Sequence, residues 1–198
     1  TFDFVRYVAS VDRDVVVRQL NPEGPADQLN CNQLDIHFAP KPPAPDSKPE
    51  PVVVDSGKRQ QRDLSRLEAA AIIALGHPAI AISPAKKIEA RGERIHIALR
   101  EGRLRIEGGN DTRLTSGTNV LQAPVIDYQE PEKDAASQVG RFRATGPGSL
   151  HYVADPTKPD QVFQAAWQTS VQLGRDKGQP VIVMEGRPEL AFAAAGSL

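Results

Sequence analysis

The sequence predicts an all-β protein built from short antiparallel strands. Of its 198 residues, 17 are proline and 15 are glycine, which is too many for a chain of long helices. Apolar and polar residues alternate over short stretches, and turn-forming sequences separate these stretches at intervals of about 8–12 residues. This spacing is typical of a sandwich, barrel or jelly roll and not of alternating strands and helices.

Nine short stretches alternate as expected for strands with one apolar face. Their alternating pairs are Val15 and Val17, Ile36 and Phe38, Ile80 and Ile82, Ile95 and Ile97, Leu104 and Ile106, Leu150 and Tyr152, Val171 and Leu173, Val181 and Val183, and Leu190 and Phe192. Glycine-containing segments separate them at 21–25, 100–103, 107–111 and 175–178. We expect hairpin turns at these four segments because glycine adopts positive φ without strain.

Two stretches depart from this rhythm. Six of the 17 prolines lie between Pro40 and Pro51, so residues 39–61 are predicted to form an extended surface insertion. Residues 62–75 fit the spacing of a helix and also the alternation of a strand, and we favour a strand because the surrounding pattern is β. Apart from the insertion, the whole chain of residues 1–198 is interpreted as a single β domain.

Internal repeats indicate that several strands share a kink. Leu29-x-Cys31-x-x-Leu34-Asp35-Ile36 recurs with the same offsets as Leu121-x-Ala123-x-x-Ile126-Asp127-Tyr128. A looser copy runs from Ile88-x-Ala90 to Ile95-x-Ile97, with a longer spacing between its two halves. The apolar positions change parity within each copy, which requires a bulge or kink, and the small residue there permits close approach of another backbone.

A second repeat begins with Gly-x-Pro. Gly76-x-Pro78-x-Ile80-Ala81-Ile82 matches Gly186-x-Pro188-x-Leu190-Ala191-Phe192, and each copy is predicted to start a strand after a turn. Units of this kind can stack without a fixed end, as in solenoids. Because the pattern runs into both termini, we interpret the chain as a fragment of a longer protein.

The kinked repeats resemble the OstA/LptA-like family of lipopolysaccharide-transport and organic-solvent-tolerance proteins. The resemblance also includes residues 76–82, which lead into Ile88-Glu89-Ala90, and Gly146-Pro147-Gly148-Ser149-Leu150 after residues 140–144. It implies a β-jelly roll of V-shaped antiparallel strands and a location in the periplasm or cell envelope. It further implies an apolar groove for acyl chains and end-to-end self-association through open sheet edges.

The resemblance and the alternating apolar face together predict a non-enzymatic envelope protein that binds or transports lipid or lipopolysaccharide, or acts as a scaffold. The hypothetical lining of the groove is Ile36, Phe38, Ile95, Ile97, Leu104, Ile106, Ile126, Tyr128, Val171 and Leu173. The alternative is a carbohydrate-binding or structural β-sandwich module of a larger extracellular protein. That alternative predicts exposed aromatic platforms from Tyr7, Tyr128, Tyr152 or Trp167.

Composition and motifs argue against several other classes. The net charge of −1 argues against a nucleic-acid binder, and no apolar run is long enough to span a membrane. Gly146-Pro147-Gly148-Ser149 lacks the lysine of a phosphate-binding loop, and the acids of residues 107–111 fit a plain turn better than a calcium site. No catalytic motif is present, so we expect neither enzymatic activity nor a cofactor.

The remaining reactive residue types favour structural roles. The four histidines, including His37 and His96 in related strand positions, lack the spacing of metal ligands, so no metal site is predicted. Cys31 occupies the small-residue position of the repeat and is expected to be a buried structural thiol, while Trp167 is expected in the core. Arginines recur along several strands between glutamates, at Arg91, Arg94, Arg100, Arg103, Arg105, Arg141 and Arg143. We expect a solvated face of mixed charge there, with contact to anionic lipid headgroups or sugar phosphates as the alternative.

Overall fold

The computed structural model describes residues 1–19, 24–42, 66–130, 140–153, 157–158, 161–176 and 179–193. They form one antiparallel sheet of fifteen strands that curls into a half-barrel, which confirms the predicted all-β class. The strands are β1 (Phe2–Asp3), β2 (Val8–Gln19), β3 (Asp27–Pro40), β4 (Leu67–Ser83), β5 (Ile88–Ala98), β6 (Arg103–Glu107), β7 (Arg113–Ser116), β8 (Asn119–Gln122), β9 (Val125–Gln129), β10 (Arg141–Thr145), β11 (Gly148–Val153), β12 (Val162–Trp167), β13 (Ser170–Asp176), β14 (Gln179–Glu185) and β15 (Glu189–Ala193). None of the helices in these ranges is long and apolar enough to cross a membrane.

Apart from the short β1, the strands form nine bent strands, each paired with the next along the chain as in a meander. β2, β3, β4 and β5 each continue through their bend, whereas the other five bent strands are split there into β6 with β7, β8 with β9, β10 with β11, β12 with β13, and β14 with β15. β5 demonstrates the geometry, because residues 94–98 pair with β6 while residues 88–91 pair with β7. Register shifts mark the bends of β2, β3 and β4.

The bends divide the sheet into two arms. The first arm contains β1, residues 8–12 of β2, residues 33–40 of β3, residues 67–75 of β4, residues 94–98 of β5, and β6, β9, β10, β13 and β14. The second arm contains the remaining parts of β2 to β5 together with β7, β8, β11, β12 and β15. Buried residues of both arms belong to one apolar cluster, so the faces that carry them, here called the inner faces, pack together near the bends.

Small residues at the bends let neighbouring backbones approach closely. A Cβ atom built on Gly92 would lie 2.6 Å from the Ile106 Cγ2 and 2.7 Å from the Glu107 backbone oxygen. Cys31, Ala79 and Ala123 are buried at the bends of their own strands. The predicted kinks with a small residue are therefore confirmed in β3 and between β8 and β9.

Backbone hydrogen bonds join the bends of adjacent strands. The Gly146 amide donates to the Thr169 carbonyl at 2.7 Å, and the Gln168 amide donates to the Gly186 carbonyl at 2.8 Å. The Gly108 amide likewise donates to the Pro124 carbonyl at 3.2 Å. The bends are therefore hydrogen-bonded to one another, and the ladder of the sheet continues from one arm to the other.

The structure corrects two predictions about turns and repeats. Residues 107–111 do not form a hairpin turn: β6 and β7 flank them without pairing, since both pair with β5, and Gly109–Asp111 forms a 3-10 turn in the bend. The third copy of the kinked repeat was placed wrongly. Its small residue is Gly92, in Ala90-x-Gly92-x-x-Ile95-x-Ile97, and this alignment has the same offsets as the other two copies. The apolar Ile88 had suggested an alignment that starts two residues earlier.

Three other predictions concern element boundaries. Leu67–Ser83 is a strand, so the preferred interpretation of residues 67–75 is confirmed, while residues 62–65 lie outside the described part of the chain. The insertion was predicted to begin at residue 39, but Ala39 and Pro40 extend β3 and pair with β4. A strand end tolerates proline because its missing amide costs no internal ladder bond. Residues 43–61 of the insertion are outside the described ranges.

Gly92 provides a direct test of the bends. Replacing Gly92 with Ala should lower the free energy of unfolding by about 1–3 kcal/mol, because the added methyl group meets a packed side chain and a backbone carbonyl. Gly174→Ala is the matched control, since a Cβ there meets only the Gln172 Nε2, at 3.8 Å, and the position lies within a strand. Urea denaturation of both variants provides the measurement, and equal stability of the two would contradict the close approach.

Candidate functional site

A continuous row of apolar side chains crosses the first arm beside the bends. Leu34, Ala74, Ile95, Ile106, Ile126, Ala144 and Val171 lie opposite one another on successive strands. Six of these seven side chains are 0% exposed and Leu34 is 2% exposed. This set, the first apolar row, is dry core, and each buried isoleucine contributes about 2–3 kcal/mol to stability.

A second apolar row runs parallel to the first, two residues further from the bends. It consists of Ile36, Ile72, Ile97, Leu104, Tyr128, Phe142 and Leu173, paired across the same seven strands. All seven residues are of intermediate exposure, and all lie on the same face as the first row. The second row is thus the partly buried border of the apolar core on the inner face of the first arm.

The ten predicted lining residues divide between these two rows. Ile95, Ile106, Ile126 and Val171 belong to the first row and are fully buried, so they form the floor and not the accessible wall. Ile36, Ile97, Leu104, Tyr128 and Leu173 belong to the second row. Phe38 lies further out on β3, with its ring centroid 6.0 Å from that of Phe2.

Two members of the second row were not predicted to line the groove. Ile72 lies in the stretch that also fits the spacing of a helix, and Phe142 lies between two arginines, which are typical of an exposed stretch. The alternation of Arg141, Phe142, Arg143 and Ala144 was the signal that could have placed Phe142 on the apolar face.

The inner face of the second arm ends in aromatic side chains. Tyr152, Phe163 and Phe192 lie opposite one another on β11, β12 and β15. Phe192 is 72% exposed and Tyr152 is 43% exposed. The inner faces of the two arms are thus apolar from the packed bends outward, and they become accessible with distance from the bends.

Apolar side chains are also exposed on the last bent strand. Ile182, Val183 and Leu190 on β14 and β15 are 45%, 54% and 62% exposed. Among the described residues, β14 pairs only with β13 and β15 only with β12, so both present an unpaired backbone edge. Exposed apolar residues on an unpaired strand are the features of a surface that adds further strands or a ligand.

Trp167 does not form an aromatic platform. It is 1% exposed, and its Nε1 donates a hydrogen bond to the Gly146 carbonyl at 2.9 Å. The predicted core position is confirmed, and the platform prediction is wrong for this residue. Tyr128 lies on the first arm and Tyr152 on the second, so the structure does not bring these two together in one platform.

Cys31 is buried in the bend of β3, as the repeat predicted. Desolvation raises the pKa of its thiol, which keeps the group protonated and unreactive near neutral pH. Burial also raises the pKa of Tyr128, with a further contribution from the Glu130 carboxylate. The phenol of Tyr128 is therefore neutral in the apolar row.

The outer face of the first arm, opposite the apolar rows, is charged. Arg105 donates to the Glu107 carboxylate at 2.7 Å and to both oxygens of Asp127 at 2.9 and 3.0 Å. Arg94 adds a longer ion pair to Glu107 at 3.9 Å. Part of the predicted pattern of alternating, mutually neutralised charge is therefore present.

The histidines of this face do not form a metal site. His37 and His96 lie on β3 and β5, with β4 between them. Desolvation lowers the pKa of His96, and the positive charges of Arg94, His37 and Arg103 lower it further against an opposing effect of Glu101. Within the described part of the chain, no three His, Cys, Asp or Glu side chains come close enough to hold a metal ion.

Comparisons with known proteins identify no relative. The chain matches no known family, and no curated protein or solved structure is significantly similar to it. The arguments about function therefore depend on the two faces of the sheet.

The lowered pKa of His96 makes stability depend on pH. Below 6.5 the unfolded chain binds a proton at this position more readily than the folded chain, so the free energy of unfolding should fall as the pH drops through this range. The His96→Gln variant has no imidazole at this position, so its free energy of unfolding should fall less over the same pH range. Urea unfolding of both proteins at a series of pH values measures the difference, and parallel curves would contradict it.

Proposed function

We propose that this chain is a non-enzymatic, OstA/LptA-like β-jelly-roll module of a cell-envelope protein, and that the space between its arms binds the acyl chains of a lipid or of lipopolysaccharide. The observation that carries the proposal is the second apolar row. Seven apolar residues on seven neighbouring strands form a stripe that is only partly buried, beside the buried core. An uninterrupted stripe of this kind suits a flexible hydrocarbon chain, because it offers apolar contact without fixed polar groups.

The floor of the proposed site supports the same interpretation. The first apolar row is buried and rigid, so the second row is held on ordered strands and not on loops. Tyr152, Phe163 and Phe192 lie opposite one another on the inner face of the second arm and supply a facing apolar wall. A ligand lying between the arms would therefore contact hydrocarbon on both sides.

The open sheet edge supports the scaffold part of the proposal. β14 and β15 carry exposed apolar residues beside an unpaired backbone edge, and at the other end of the sheet Val11, Val16 and Val17 of β2 are also exposed. Pairing of one copy's last bent strand with another copy's first would extend the apolar space from copy to copy. A periplasmic location fits this proposal, since a protein there meets lipid in transit between two membranes.

Two adjacent residues of β14 allow a sharp test. Ile182 lies on the inner face and Val183 on the outer face, and both are exposed, at 45% and 54%. Ile182→Glu should weaken binding of the fluorescent fatty acid cis-parinaric acid by about tenfold, because the new carboxylate opposes burial of hydrocarbon beside it. Val183→Glu adds the same charge to the same strand on the other face and should leave binding unchanged.

Fluorescence titration with cis-parinaric acid, followed by competition with lipopolysaccharide, provides the measurement. Equal binding of the fatty acid by the two variants would exclude the groove as its binding site. Binding of the fatty acid without displacement by lipopolysaccharide would restrict the proposal to simpler lipids.

A further inference from the structure

The outer face of the first arm contains three arginines that the mixed-charge pattern does not neutralise. Arg103, Arg141 and Arg143 are exposed and take part in no ion pair or hydrogen bond within the described residues, in contrast to Arg105 on the same face. Glu101 lies in the turn before β6, but no ion pair connects it to Arg103. Among the residues that the structure describes, uncompensated positive charge is therefore concentrated on one part of this face.

Strand register brings the three side chains together. Arg103 on β6 and Arg141 on β10 both lie opposite Gln129 on the strand between them, so they are about 10 Å apart at the backbone. Arg143 follows two residues after Arg141 and points to the same face, about 7 Å along the strand. Guanidinium groups on side chains of this length can converge on a single ligand at the centre of the triangle.

A pocket of about 300 Å³ lies at that centre. Its lining includes all three arginines together with Asp127, Gln129 and Gln172. This volume is at the lower end of the range of about 300–1,000 Å³ for small-molecule sites. The three arginines lie on the opposite face of the sheet from the apolar rows, and Tyr128, Phe142 and Leu173 of the second row complete the lining of the pocket.

The charge balance of the pocket favours a dianion. Asp127 is the one carboxylate in the lining, and both of its oxygens accept hydrogen bonds from Arg105. Arg105 also pairs with Glu107, and Arg94 adds a second positive charge to Glu107, so the two arginines balance the two carboxylates. Three positive charges then remain, while a phosphate monoester carries a charge of about −2 near neutral pH. The planar guanidinium fork also matches the oxygen geometry of phosphate better than a lysine would.

We propose that this pocket binds a phosphate monoester through its phosphoryl group, with the three arginines as its ligands and the Gln172 amide as a further hydrogen-bond donor. The group can come from a soluble sugar phosphate or from the phosphorylated headgroup of a lipid surface. Because the arginines are exposed, the remainder of the ligand stays in solvent or in the membrane surface. The pocket therefore requires no opening of the sheet.

The test compares two triple variants with the same change in charge. The pocket variant is R103Q/R141Q/R143Q. The control variant, R18Q/R91Q/R113Q, removes three arginines from the outer face of the second arm, where alternation with inward-facing Val17, Ala90 and Leu114 places them. Calorimetric titration uses inorganic phosphate and glucose 1-phosphate as probes, and sedimentation uses phosphatidylcholine vesicles with and without phosphatidic acid.

We expect the wild type and the control variant to bind glucose 1-phosphate and inorganic phosphate, with an affinity that falls as salt is added. The pocket variant should bind at least about tenfold more weakly, because each lost arginine removes a charge-assisted hydrogen bond. Binding of phosphatidic acid vesicles without binding of glucose 1-phosphate would assign the phosphoryl group to a lipid surface, and the reverse result would assign it to a soluble ligand.

Equal loss of binding in both triple variants would show a general charge effect and overturn the proposal, as would absence of binding by the wild type to every probe. Ile182→Glu should still bind glucose 1-phosphate. The fatty-acid titration therefore tests the groove, and the glucose 1-phosphate titration tests the pocket separately.

Discussion

The whole structure depends on the bends of nine strands staying in line. At several bends the backbone of one strand approaches that of the next so closely that only a small residue fits, as at Gly92 beside Glu107. Hydrogen bonds such as that from the Gly146 amide to the Thr169 carbonyl connect the bends to one another. If one bend shifted along its strand, every side chain beyond it would change face, since strand side chains alternate with a period of two. The small residues therefore set the register of both arms.

Bending the sheet in one line separates its two faces chemically. The inner faces meet near the bends and exclude water, and they remain apolar but accessible further out. The outer face stays in solvent, where Arg105 with its two acidic partners contributes little to stability because exposed ion pairs are screened. One sheet thus presents an apolar surface on one side and a site for anions on the other, each formed from every second residue of the same strands.

The alternation of the sequence was sufficient to predict the strands, the apolar face and most of the kinks. The alternation could not predict how deeply each apolar residue is buried, because Ile95 and Ile97 fit the pattern equally well. Ile95 is fully buried and Ile97 is half-buried, and the difference is only their distance from the bend. It also could not distinguish a bend from a hairpin at residues 107–111, since glycine, asparagine and aspartate suit both and only the pairing of β5 with β6 and β7 decides between them.

The sequence by itself determined that this chain forms kinked antiparallel strands with one apolar face, because period-two alternation and small residues at fixed offsets are local properties of the chain. Tertiary structure alone decided which arginine is hydrogen-bonded to a carboxylate on a neighbouring strand. Arg103 and Arg105 are equivalent in sequence pattern, yet Arg105 lies opposite Asp127 and Arg103 lies opposite Gln129. The partner of each comes from a strand more than twenty residues away, and its identity follows from sheet register, which no local pattern contains.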